Sequence, residues 1–287
     1  MALSALWLAS CLYAALGACQ TPAVPLHRTR QSPLDLELGG ALAGVPRGQT
    51  RFVSFAALAA LPQETYTVRD DTNFGRPTRI TGIPLRRLLA LLGAARNATM
   101  VTALCRDAYA AHYPSAYLRA HNALLVLRVD GKPSAQWPIG ADGHAMGPYL
   151  ISHSSFTPSF RVLSHPDEPQ VPWGVVRLDF EPEQQVYAPI QPFGLHAADL
   201  LVQQGYTIAS QNCFRCHSRN GEGGEKSNRP WDVVARRAAT DPAYFNDYVR
   251  NPRRLNPASQ MAATPTYDDA TLRALRSYFS LFAETYP

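Results

Sequence analysis

The sequence predicts two folded units of different class behind an export leader: an α+β domain over residues 34–182 and an all-α domain over residues 194–287, with a linker at 183–193. Three observations lead there. The chain has 287 residues, 46% of them apolar, which leaves room for two modest domains that each bury a core. Its first half alternates short β-rich runs with short helical ones, whereas its last third carries helix-period apolar stripes around a single cysteine motif. Charged residues make up only 17%, and the net charge of +5 is spread along the chain. No concentrated positive face arises, so the reading includes no nucleic-acid partner.

Residues 2–18 contain no charged side chain and end in small residues, as export signals do. The tetrad Leu16-Gly17-Ala18-Cys19 resembles a bacterial lipobox, so residues 1–19 are read as a signal peptide, and the resemblance implies a lipid anchor on Cys19. Ordinary cleavage to a soluble chain and an uncleaved anchor are the alternatives. Residues 20–33 are polar and punctuated by proline, with no apolar period, and are expected to form an extended tether. All three readings place the body outside the cytoplasm. The leading one is a periplasmic, membrane-anchored lipoprotein of a bacterium.

Within residues 34–182 the runs 124–130 and 175–180 read as strands, and 55–61 and 85–92 as short helices, the second closed by Gly93. Repeated strand-helix-strand units are not evident, which points to mixed α+β packing. The pieces Phe55-Ala56-Ala57-Leu58, Thr81-Gly82-Ile83-Pro84-Leu85 with Leu88-Leu89, Arg106-Asp107-Ala108-Tyr109, Gly147-Pro148-Tyr149 and Trp173-Gly174-Val175 together resemble the molybdopterin-binding domain of the sulfite oxidase type. That resemblance implies a metal held by a cysteine thiolate in the loop before the Gly82 segment. Here the loop reads Arg69-Asp70-Asp71-Thr72-Asn73. A hard carboxylate does not replace a soft thiolate, so molybdopterin is not expected to bind. Cys105 is read as a buried thiol, and His112, His121 and His165 as ordinary polar residues. His144 and His153 flank Gly147-Pro148-Tyr149 and are kept as candidate pocket residues.

The last third carries the chemistry. Cys213-Phe214-Arg215-Cys216-His217 is a C-x-x-C-H run, whose two thiols can add to the vinyl groups of one porphyrin while the next residue places an imidazole under the iron. With five Cys and eight His in the chain, chance yields roughly 0.002 such runs. The sequence after His217 holds no further Cys or His with which to build a zinc site. One covalent haem c is therefore the expected cofactor. Met261 is the single methionine beyond the motif, in the Pro-bounded loop 256–267, and is expected as the sixth iron ligand. Gly221, Gly223 and Gly224 are read as a flexible turn rather than a phosphate cradle.

Helix-period stretches at 197–209 and 268–282 flank this segment, with Gly205-Tyr206 and Tyr278-Phe279 placed where two helices could cross. The segment 194–287 thereby resembles the class I cytochrome c family. That resemblance implies that the carbonyl of Pro230 accepts a hydrogen bond from the His217 imidazole, and that the site comprises Cys213, Cys216, His217, Pro230 and Met261. The expected function is electron carriage among redox partner proteins in the periplasm or at the membrane, with the amino-terminal module used for docking or ligand binding. The rival is a molybdenum-cofactor oxidoreductase that passes electrons from a small substrate to its own haem. A haem sensor with a labile Met261 is the third class.

Overall fold

The computed structural model describes residues 24–140, 143–154 and 168–283. The leader with Cys19 lies outside them, as does His165. Among the described residues no helix is long and apolar enough to cross a membrane.

The first unit is a mixed sheet with short helices on it. Its elements in order are β1 (Leu36–Gly40), β2 (Arg51–Val53), α1 (Phe55–Ala59), β3 (Glu64–Val68), β4 (Thr78–Pro84), α2 (Leu85–Leu91), β5 (Met100–Cys105), β6 (Ala110–Pro114), α3 (Ser115–Ala120), β7 (Leu124–Val129), β8 (Tyr149–Ser152) and β9 (Trp173–Glu181). Strand order runs β2-β1-β9-β8-β7-β4-β3, with the β5–β6 hairpin joined through β9. All pairings are antiparallel except β1 with β9, which aligns Glu37 with Arg177. This is the α+β arrangement expected from the absence of strand-helix-strand repeats. One face buries Leu36, Leu38, Val53, Leu58, Leu88, Val101, Leu125 and Phe180, and the other Val68, Ile80, Val126 and Leu150. Alternation along each strand divides its residues between the two faces.

The elements that follow β9 are helical: α4 (Glu183–Tyr187), a 3-10 turn at Ala188–Ile190, α5 (Leu200–Asn212), α6 (Trp231–Thr240), α7 (Pro242–Arg250), α8 (Pro252–Leu255) and α9 (Asp269–Ala283). Their core is aromatic, with Trp231 touching Phe214, Tyr278, Phe279 and Phe282. α5 and α9 cross where Gly205 lies, as the sequence predicts: a Cβ there would stand 2.1 Å from the Ala274 carbonyl oxygen. Only glycine permits that approach.

Two expected boundaries are corrected. Residues 24–33 do not form a free tether: His27 exchanges backbone hydrogen bonds with Phe52, Val24 is buried, and Arg30 pairs with Glu37. Their apolar and charged groups find complements on the β1–β2 edge, which outweighs the conformational freedom of an extended chain. Residues 183–190 of the expected linker are also structural. Val186, Tyr187 and Ile190 lie in the helical core, and the Tyr278 hydroxyl donates to the Ile190 carbonyl at 2.5 Å. The exposed connection begins later, around Phe193 and Leu195.

The two units meet along the β5–β6 hairpin. The Ala110 amide donates to the Arg215 carbonyl and the Glu225 amide to the Ala108 carbonyl, each at 2.9 Å. His112 stacks on Phe214 with ring centroids 5.0 Å apart, and Met100 of β5 belongs to the helical core. Within the cysteine motif, Phe214 and Arg215, its two variable positions, make these contacts with the first unit.

Candidate functional site

Cys213 caps the C-terminal end of α5, and the chain turns at once so that the Cys216 and His217 amides both donate to the Cys213 carbonyl, at 3.1 and 3.0 Å. This tight turn holds the motif's side chains on one short segment. Cys213 and Cys216 are both free thiols. Burial raises the Cys213 thiol to about 12 and pushes Cys216 upward too. A redox dithiol needs the opposite, a depressed thiol that attacks as thiolate.

The His217 Nδ1–H donates to the Arg229 carbonyl at 2.6 Å. Burial holds this imidazole below its ordinary value, so it is neutral, and the bond at Nδ1 leaves the Nε2 lone pair as the ligating position. The expectation that Pro230 supplies the carbonyl is corrected by one residue. Pro230 is the N-cap of α6, and its own oxygen accepts from Val233 and Val234 in the first helical turn. The last carbonyl outside the helix, that of Arg229, is the one turned to the imidazole.

Met261 lies half-buried in the loop between α8 and α9. Ser259 pins that loop: its hydroxyl accepts from the Tyr248 hydroxyl at 3.0 Å and from the Met261 amide at 3.3 Å. The guanidinium of Arg229, whose carbonyl holds His217, lies 5.2 Å over the Tyr248 ring. A continuous chain of contacts therefore joins the His217 side of the site to the Met261 loop. Of the glycines after the motif, Gly223 and Gly224 form a fitted cover rather than a flexible turn, while Gly221 stands in open space. A Cβ on Gly224 would sit 1.7 Å from the Arg215 carbonyl oxygen, and the Gly224 amide donates to the Phe214 carbonyl at 2.8 Å.

A second feature adjoins this turn. A cleft of about 340 Å³ is lined by the loop residues Asp70, Thr72 and Asn73, by Cys105 and Tyr109 of the hairpin, and by Arg215 and Lys226 from the helical unit, among others. Asp71, beside these, is turned inward, where the Ser152 hydroxyl donates to it at 2.5 Å. Cys105 is buried as expected, and burial pushes its thiol far above the ordinary range. His144 and His153 do not line the cleft; His153 is buried against the Tyr117 hydroxyl at 2.8 Å. His112, read as an ordinary polar residue, is instead fully buried, with neither ring nitrogen hydrogen-bonded among the described residues. Sequence reasoning also passed over Arg215 and Arg219. The latter reaches the Pro189 carbonyl and Asp232 and lies over the Phe282 ring, 4.6 Å from its centroid. Spacing carries no signal for such partners. Among the described residues no group of three or more His, Cys, Asp or Glu side chains has metal-binding geometry.

No family model matches the chain, and no curated protein matches it. Among solved structures, it is similar to the sulfane dehydrogenase SoxCD from Paracoccus pantotrophus, with a TM-score of 0.36 and 15% identity over 54% of this chain. The match spans 40% of that chain's length.

Proposed function

We propose that the protein carries single electrons on one haem c attached covalently through Cys213 and Cys216. The observation that carries this reading is the His217 Nδ1–H bond to the Arg229 carbonyl beside two free thiols on the same turn. The donor set fits the group: two unpaired thiols, a neutral imidazole with Nε2 left for a metal, and no dithiol activation. Haem bound there supplies a ferric/ferrous couple. The chain's own residues do the rest. Cys213 and Cys216 prevent dissociation, the Arg229 carbonyl fixes the His217 tautomer, and the aromatic wall of Trp231, Phe279 and Phe282 gives the segment a low-dielectric setting. Met261 is proposed as the sixth ligand, because its loop is tied to the His217 side through Ser259, Tyr248 and Arg229. This makes the helical unit a mono-haem cytochrome c module. The first unit, whose loop offers Asp70, Asp71 and Thr72 where the sulfite oxidase type has its thiolate, serves docking or ligand binding without molybdopterin.

Export as a lipoprotein anchored through Cys19 belongs to the same proposal, with redox partners in the periplasm or at the membrane. The test is expression in a host able to attach haem c, followed by intact-mass and pyridine haemochrome measurement. One haem per chain, lost when Cys213 and Cys216 are both replaced by Ser, is expected; a haem-free chain from that host would overturn the reading. The cleft favours a second reading, an oxidoreductase that feeds its own haem. Metal analysis separates the two: iron alone supports the carrier, and iron with equimolar molybdenum supports the enzyme.

A further inference from the structure

We propose that the edge formed by residues 24–30 and β2 lies against an anionic lipid bilayer, with Arg28 and Arg51 on the headgroups. The proposal rests on anchoring through Cys19 and names the surface that such anchoring presents. Folding of the chain onto the sheet begins at Val24, which is buried, and is fixed at His27, whose amide and carbonyl bond Phe52 at 2.8 and 2.9 Å. Only residues 20–23 therefore separate the anchor from the folded body. Even fully extended, the chain from Cys19 to Val24 reaches at most about 18 Å. A folded body of this length is about 45 Å across, so so short a tether cannot bring its far side to the bilayer. The edge that carries Val24 is the one held at the surface.

Charge on that edge selects the lipid. Arg28 follows His27 and Arg51 precedes Phe52, so the antiparallel exchange sets two like charges at the same end of the pairing, where they repel. Arg28 is exposed, and neither arginine pairs with a carboxylate among the described residues. Arg51 donates to the Thr50 carbonyl at 2.8 Å and to the Gln49 side chain at 3.4 Å, neutral acceptors that leave its charge uncompensated. The acids nearby are already used. Asp35 is buried and accepts from the Gln31 and Ser32 amides, while Glu37 is shared by Arg30 and Arg177. Arg47 reaches Gln185 of α4 and is not part of the pair. Two charges bind a free anion weakly, but the anchor holds them at the headgroups at a high effective concentration. An edge fixed by both tether and charge turns little, so membrane redox partners meet a constant face of the body.

The test places the full lipidated holoprotein in vesicles of phosphatidylcholine, alone or mixed with phosphatidylglycerol. A fluorophore is attached at Thr29→Cys on the edge or at Leu195→Cys, which replaces the most exposed apolar side chain, 98% exposed, on the other unit. Quenching by a lipid-borne quencher is read against vesicles that lack it, which cancels quenching by the haem. In mixed vesicles the Thr29 label should be quenched at least about twofold more than the Leu195 label, and the excess should fall in phosphatidylcholine alone and at high salt. Arg28→Gln with Arg51→Gln should remove the dependence on phosphatidylglycerol. Arg28→Gln alone, a change at an exposed residue, should remove roughly half of it and decides the matter if the double variant misfolds. Equal or stronger quenching at residue 195, indifference to phosphatidylglycerol, or a dependence that survives loss of the arginines would overturn the proposal. Intact mass separates this from the anchor itself: a lipid-bearing chain with equal quenching refutes the docked edge and leaves the anchor, whereas a chain without lipid refutes both.

Discussion

Single side chains set the chemistry. Replacing Met261 with Ala should leave haem attached while lowering the potential and opening the iron to added ligands, because a thioether favours the ferrous state. An unchanged spectrum and potential would remove Met261 from the site. Gly224→Ala tests the cover over the motif: with a Cβ 1.7 Å from a backbone oxygen, the turn must move, costing about 1–3 kcal/mol or more and lowering the yield of attached haem. A normal yield and melting point would show that the cover yields easily. Burial lowers both His112 and His153 from 6.5 to about 3. Their neutral native forms therefore contribute stability that is fully present above pH 6.5 and is lost as pH falls toward 3, because the unfolded chain takes up the protons first. The slope is about 1.4 kcal/mol per pH unit for each group. Glu222, raised to about 7 by burial, acts in the opposite sense, so the difference between proteins is the clean readout. His112→Phe should flatten the decline in denaturant midpoint between pH 6.5 and 4 by about one proton's worth; parallel curves would contradict the buried-neutral assignment.

Helices and loops decide where those side chains stand. α5 delivers the cysteine motif, and α9 holds α5 in place through the Gly205 crossing, so the position of the motif depends on a contact far from it in sequence. Gly205→Val should cost roughly 1–3 kcal/mol and lower the melting temperature of the helical unit, since Ala274 and Tyr278 must back away. A melting curve that matches the unaltered protein would place the crossing elsewhere. The helices were legible because apolar residues such as Leu272, Leu275, Phe279 and Phe282 recur on one face, and the observed α9 starts at Asp269, one residue after the predicted start. α5 starts at Leu200 rather than near residue 197, because 194–199 form exposed turns with Leu195 in solvent. The Pro230 expectation missed for a related reason. Proline capping a helix gives its carbonyl to that helix, and only the exact start of α6 shows that the preceding carbonyl is the free one.

At the scale of the whole molecule, the two units share a seam rather than a linker. Ile190→Ala should destabilise the helical unit by about 2–5 kcal/mol, the cost of emptying a buried aliphatic site, although residue 190 falls in the stretch that the sequence marks as a connection. A change within the scatter of surface variants would restore the linker reading. The sequence by itself determined the division into an α+β and a helical unit, the C-x-x-C-H motif, the pairing of Gly205 with α9, and the burial of Cys105. Each of these follows from local periodicity, fixed spacing or residue size, which short stretches of chain carry unaided. Only the tertiary structure decided that residues 24–33 lie on the sheet edge, that Arg229 rather than Pro230 faces His217, that His112 is buried against Phe214, and that Arg215 lines a cleft of the other unit. Those are meetings of residues that are distant in sequence or whose role turns on one exact boundary. Their partners are chosen by how packed surfaces fit, which no single segment encodes.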